Sequence, residues 1–261
     1  VAWIGSLDAE TLLAHSQVAR DHAFVIHKAQ SRARHQMDEP LEALAADLSL
    51  SGSTAWSKLH GNLTSMLKVE VPMPGGGTKM PMSAVRNLAH ESDPTVRKAG
   101  YEAELAGWKR AEIPLAAAMN GIKGETLTLC ERRGWASPLD EALFNANIDS
   151  GILDAMMQAA KASFPAFRRY LRAKSRALGH EGALPWYDLF APLGAESRSW
   201  TVEEAKGFVH RHFGGYSAKL ADYAQRAFDE RWIDFMPRAG KRDGAFCAPI
   251  RSDESRILMN F

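Results

Sequence analysis

Helical periodicity runs through almost the whole chain and gives way to alternation and turn residues at two places, KVEVPMPGGGTKMP from residue 68 and GAFCAPIRSDESRILMNF from residue 244. That contrast is the strongest constraint on the fold. Apolar residues repeating every 3.6 positions bury one face of a helix, whereas strict alternation buries one face of a strand. The expected fold is therefore mainly α, with a small β-hairpin at the C-terminal end and a minor β excursion near residues 68–82.

Local signals place the helices. Leu7 to His35 carries helix formers throughout, with Ser6 as its cap, and reads as one long helix. Pro40 suits a first helical turn, SGS ends the following short helix, and Ser53 is placed to cap the next. Asp93-Pro94 opens a further helix that Pro114 should kink or divide. Ile152, Met156, Ala160 and Phe164, continued by Phe167 and Leu171, mark an apolar stripe on a helix from Ser150 to Leu178, expected to pack into a core. TVEE at 201–204 is a capping box, and Leu220, Tyr223, Ala224, Ala227, Phe228 and Trp232 mark one more helix. The Gly- and Pro-rich stretch after residue 68 suggests two domains, 1–85 and 86–261.

Charge excludes some functions. Thirty-two Lys and Arg against 31 Asp and Glu leave a net charge of +1, which is no footprint for nucleic acid or an anionic membrane. No apolar run approaches the roughly 20 residues of a membrane-spanning helix. Cys130 and Cys247 are far apart in sequence and read as free thiols of a reducing, cytoplasmic protein. The chain begins at Val1 without an initiator Met or signal-peptide pattern, so Val1 is expected not to be the native start.

Candidate chemistry is sparse. His90-Glu91 and His180-Glu181 resemble the start of the helical zinc motif HExxH, but Pro94 and Leu184 stand where the second histidine is needed. His22 and His27 are five apart, and the histidines of HRH at 210–212 project to different sides of a helix. GGGT at 75–78 lacks the lysine of a phosphate loop, and FRRYLRAKSR at 167–176 reads as a solvated basic face. The terminal segment is more informative. GAFCAPI and RILMNF around the polar turn RSDES form a candidate hairpin, and the small Gly244 and Ala245 would let another backbone approach, as when an extended peptide adds to a sheet edge.

LPWYDLFAPLG, WTVEEAKGFV, AFDERWIDFMPRAGKRDGAFCAPI and RILMNF resemble, in order, the oligoendopeptidase F group of the thimet oligopeptidase family of zinc metallopeptidases, as do SLSGSTAWSKLHGNLTSML and DPTVRKAGYEAELAGW upstream. The resemblance implies an N-terminal helical lobe followed by the first part of a helical catalytic domain, together forming walls of a peptidase cleft. In that family the strand similar to RILMNF leads into the HExxH helix, which lies beyond Phe261. The resemblance therefore implies no catalytic residue and no zinc ligand in this chain, and zinc only in the intact enzyme. It implies substrate contacts with an oligopeptide at Gly244, Ala245, Phe246 and Cys247, with Arg242 or Lys241 near the cleft mouth. The chain alone is expected to be inactive, and to associate with the missing C-terminal part or with itself. The alternatives are a non-catalytic helical peptide-binding protein and half of a split peptidase.

Overall fold

The structure, a computed structural model, describes residues 2–73, 75–194, 200–242 and 244–260. In chain order the helices are α1 (Ala2–Gly5), α2 (Ala9–His15), α3 (Gln17–Asp21), α4 (Ala23–Ala33), α5 (Glu39–Ser51) and α6 (Ser53–Met66). The hairpin β1 (Lys68–Met73) and β2 (Gly76–Pro81) follows, then α7 (Met82–Asn87), α8 (Pro94–Arg132), α9 (Pro138–Ala146) and α10 (Ser150–Ala177). The last elements are α11 (Val202–Tyr216), α12 (Ala218–Asp229), β3 (Ile233–Asp234), β4 (Phe246–Arg251) and β5 (Glu254–Leu258). The mainly α fold with two small β parts agrees with the reading of the sequence.

Several elements differ from that reading for local physical reasons. The stretch expected as one helix from Leu7 to His35 is three, because Ser16 adopts an extended conformation and its hydroxyl accepts the Ala19 N–H, and because His22 leaves the helical region at φ −111° and ψ 18°. Asp8 rather than Ser6 caps α2, by accepting from Thr11 N. Ser53 does not cap α6 with its own oxygen: its N–H and hydroxyl both donate to the Glu125 carboxylate, at 2.5 and 2.6 Å, which puts an anion at the positive end of the helix. α8 continues through Pro114 over 39 residues. One missing donor is tolerated where the ladder is long on both sides. The Thr201–Glu204 capping box forms as expected.

The chain divides into two compact units, Val1–His60 with Ala116–Ser163, and Gly61–Leu115 with Phe164–Phe261. Within the first, polar pairs and ring stacking complement a thin apolar core. Arg133 grips Glu42 through Nε and Nη2 at 3.0 and 2.7 Å, and this hydrogen bonding holds the Glu42 carboxyl below its usual range. The His35 ring stacks on Trp135 with centroids 3.6 Å apart. Cys130 is buried, and burial pushes its thiol pKa up.

The second unit is built on the β1–β2 hairpin, whose Val69 and Val71 pack with Met82, Val85, Leu88 and Val96. The strand alternates exposed and buried residues as its sequence requires. Next to this core lies a buried ion pair: Arg97 Nε donates to Asp188 Oδ1 at 2.8 Å, and its Nη1 donates to the carbonyls of Glu91 and Ser92. His180 Nε2 meets the other Asp188 oxygen at 2.6 Å. Lys174, read from the sequence as part of a solvated face, is buried and donates to the Leu189 carbonyl. The α10 stripe is also a correction: Ile152, Met156, Phe164 and Phe167 are exposed, and Lys174 and Ser175 are the buried residues of that helix.

Glycines test this packing. A Cβ on Gly107 of α8 would lie 2.5 Å from Val69 Cγ1 and 2.7 Å from Met82 Cε, whereas one on Gly124 meets nothing within 4 Å. Gly107→Val is therefore expected to destabilise by about 1–3 kcal/mol through overpacking. Gly124→Ala is expected to stabilise by up to about 1 kcal/mol through helix propensity. Urea unfolding midpoints of the two variants check both signs.

Candidate functional site

The three-stranded sheet starts where α12 stops. Ala221, Ala224 and Ala227 form the buried face of α12, and Trp232, expected to continue the helix, lies beyond its end at Asp229 and is buried, the chain turning through Arg231 at φ 57°. The Trp232 ring lies under the Arg226 guanidinium at 5.0 Å and edge-on to Tyr223. Its carbonyl accepts from Ile257 N at 2.9 Å and that of Asp234 from Met259 N at 3.0 Å, which sets β3 parallel to β5. β4 pairs antiparallel with the other side of β5, Phe246 facing Leu258 and Cys247 facing Ile257. The strand order β3-β5-β4 leaves β4 outermost. Its residues are exposed except for the half-buried Ala248.

An outermost strand carries a row of N–H and C=O groups that can pair with a further chain. Two features limit how far such pairing can extend along β4. Pro249 has no N–H, and the register shifts between Pro249 and Arg251. The usable edge is thus Phe246 to Ala248.

The loop from β3 to β4 is held from inside by Lys241, which is only 5% exposed. Its Nζ donates to the carbonyls of Asp234, Met236 and Met259 at 3.0, 2.9 and 2.6 Å, and lies 3.1 Å from Asp234 Oδ1. Hydrogen bonding from Arg238 and then Lys241 holds the Asp234 carboxyl at about 2, against 3.8 ordinarily. The loop also docks on the last turns of α6: Gly240 N donates to Ser65 O, and the Arg242 guanidinium lies over Gly61. Asn260 closes the loop from the other end, Nδ2 donating to the carbonyls of Arg242 and Gly244 at 3.1 and 2.9 Å. Its Oδ1 is buried without a hydrogen-bond partner among the described residues.

The residues singled out from the sequence fall together around this edge, in different roles. Phe246 and Cys247 are the first residues of β4 and are exposed. Ala245 precedes the strand, and Gly244 turns into it at φ 81°, a left-handed conformation that suits glycine. Arg242 is exposed and packs on α6. Of the pair Arg242 or Lys241 expected near a cleft mouth, Lys241 is buried among the carbonyls of Asp234, Met236 and Met259, to which its ammonium donates. Asn260 and Asp234 were missed. An Asn at the end of an apolar strand and an Asp before FMPR carry no motif.

Among the described residues no group of three or more His, Cys, Asp or Glu side chains is placed to hold a metal. His180 reaches one carboxylate, and that carboxylate already carries the Arg97 guanidinium. His90 lies against the Phe190 ring.

Residues 87–261 match the family described as Peptidase family M3, and residues 4–68 match that described as Oligopeptidase F. The chain belongs to peptidase family M3. This M3 chain is 22% identical over 231 residues to Oligopeptidase PepF of Bacillus subtilis, covering 87% of itself and 34% of that protein. It is 25% identical over 176 residues to Group B oligopeptidase PepB of Streptococcus agalactiae, covering 67% of itself and 29% of that protein. It thus spans about a third of the length of these relatives. In structure it is similar to PZ peptidase A, with a TM-score of 0.77 at 12% identity over 97% of this chain and 45% of that one. It is also similar to an oligoendopeptidase-F of Enterococcus faecium, with a TM-score of 0.62 at 16% identity over 88% and 51%. These likenesses show the fold. M3 peptidases are zinc-dependent in general, and zinc sites of catalytic type use three protein ligands. The donors described here do not supply such a set, and the His180–Asp188 pair, already bearing a cation, does not fit one.

Two outcomes follow from the geometry. Iodoacetamide should alkylate Cys247 in the native protein and reach the buried Cys130 only on unfolding, as mass spectrometry of the digested protein would show. Asp234, whose folded pKa is lowered, contributes stability above pH 3.8 that is lost as the pH falls toward 2. Asp234→Asn should therefore unfold at lower urea than wild type at pH 7, with the gap narrowing across that acid window.

Proposed function

We propose that this chain is the peptide-receiving portion of a zinc-dependent oligoendopeptidase, and that it binds an extended oligopeptide along β4. The observation that carries this reading is the exposed outer edge of β4, limited by Pro249 to the length of a few residues. A peptide added there would bond through its backbone, so sequence tolerance would be broad. Phe246 and Cys247 would contact it directly, Gly244 and Ala245 would bound its path, and Arg242 would lie beside it.

On this reading residues 1–85 are the N-terminal lobe and 86–261 the first part of the catalytic domain, and zinc is held by residues that this chain does not supply. The chain by itself then binds peptides without cutting them, in a cytoplasmic protein. The membership in family M3 and the oligopeptidase relatives support the substrate class.

The test is a fluorescein-labelled octapeptide of alternating Ala and Val, titrated with the 261-residue chain by anisotropy. Saturable binding is expected, with protection of Cys247 from iodoacetamide. N-methylation at alternate residues in one register should abolish binding, and in the other register it should be tolerated, because only alternate amides face the edge. Equal binding of both methylated peptides, or none by the unmodified one, would overturn the reading.

A further inference from the structure

We propose that Asn260 is a positioning residue for the β4 edge, holding the turn that launches the strand so that Phe246 to Ala248 can pair with a peptide. This rests on the peptide-edge reading above and adds to it the residue that sets the edge in place.

Neither hydrogen bond of Asn260 is local: its Nδ2 reaches back to Arg242 and Gly244, bracketing the entry to β4. The side-chain orientation is unambiguous, because a flipped amide would set Oδ1 against two carbonyl oxygens. Oδ1 itself is buried and receives no donor among the described residues, so the two Nδ2 bonds are the hydrogen bonds that orient this amide. A residue needed only to fill space would not require a nitrogen there. The neighbouring backbone is fixed independently, since Met259 donates to the Asp234 carbonyl and accepts from Lys241 Nζ. Asn260 is thus anchored on β5 and can transmit that position to the loop. Gly244, at φ 81°, has little intrinsic preference for one side of the conformational map, so the bond to its carbonyl helps select the turn.

The variant Asn260→Asp separates positioning from packing. It has almost the same shape, but its carboxylate cannot donate to the two carbonyls unless it is protonated. A carboxylate facing carbonyl oxygens is raised in pKa, so protonation and partial rescue should begin above the usual range. Among the described residues the charged groups around the position are Lys241, bonded to the Met259 carbonyl, Arg242, whose own carbonyl is an acceptor, and the Asp234–Arg238 pair, and Asp243 adjoins them in the sequence. The wild type carries all of them, so a pH dependence found in the variant alone belongs to the introduced carboxyl.

Binding of the Ala/Val octapeptide is measured for wild type, Asn260→Asp and Asn260→Ser from about pH 8 to about pH 5, with circular dichroism to confirm folding. Asn260→Asp should bind about tenfold more weakly at the alkaline end, with the ratio to wild type shrinking toward the acid end. Asn260→Ser, which keeps a shorter donor and no charge, should weaken binding at all pH values alike. If Asn260→Asp fails to fold, the loss in Asn260→Ser, together with faster alkylation of Cys247, carries the same expectation. Wild-type binding with an unchanged Asn260→Asp affinity, or a ratio independent of pH, would overturn the inference and leave the edge reading intact. Absence of wild-type binding would overturn both.

Discussion

The ammonium of Lys241 is the interaction on which the C-terminal sheet depends. A buried lysine without partners would be strongly unfavourable, and three backbone carbonyls and the Asp234 carboxylate offset that cost. The acceptors come from the end of β3, from the loop after it and from just past the end of β5, so one side chain ties the loop to the short β3–β5 ladder. With the loop tied down, β4 is presented as the outer strand. Without the tie, a two-residue strand such as β3 would have little to hold it.

The same unit repeats the device at Arg97, where a guanidinium satisfies one carboxylate and two carbonyls around the segment that follows α7. In both places a long cation reaches carbonyls at turns, where the regular helix or strand bonding stops. The apolar contribution is more modest. The fully buried side chains are small or polar, Val69 and Val71 with Ser175 and Asp188. Close helix approach through Ala221, Ala224 and Ala227 serves in place of large interlocking residues.

Much of the fold was legible because its signals are local. The capping box at Thr201, the Asp93-Pro94 helix start and the alternation of KVEV each depend on a few neighbours, and each formed. Where local signals competed, tertiary contact decided. Ser16 offered its hydroxyl to the backbone and broke a helix that its flanking residues favoured, and Glu125 displaced Ser53 as the cap of α6. The apolar repeat of α10 was read correctly as helical and incorrectly as core, because periodicity reports which residues share a face and not what covers it.

By itself the sequence determined the mainly α architecture, the two β parts and, through ordered motifs spread along the chain, the resemblance to a peptidase family. These follow from local periodicity, turn chemistry and motif order. Only the tertiary structure decided that β4 is the outer strand, that Lys241 is buried rather than exposed, and that Asn260 reaches the carbonyls of Arg242 and Gly244. The strand order depends on β3 and β5 pairing across the intervening chain, and the last two outcomes on which carbonyls lack donors after folding, through contacts spanning up to 18 residues.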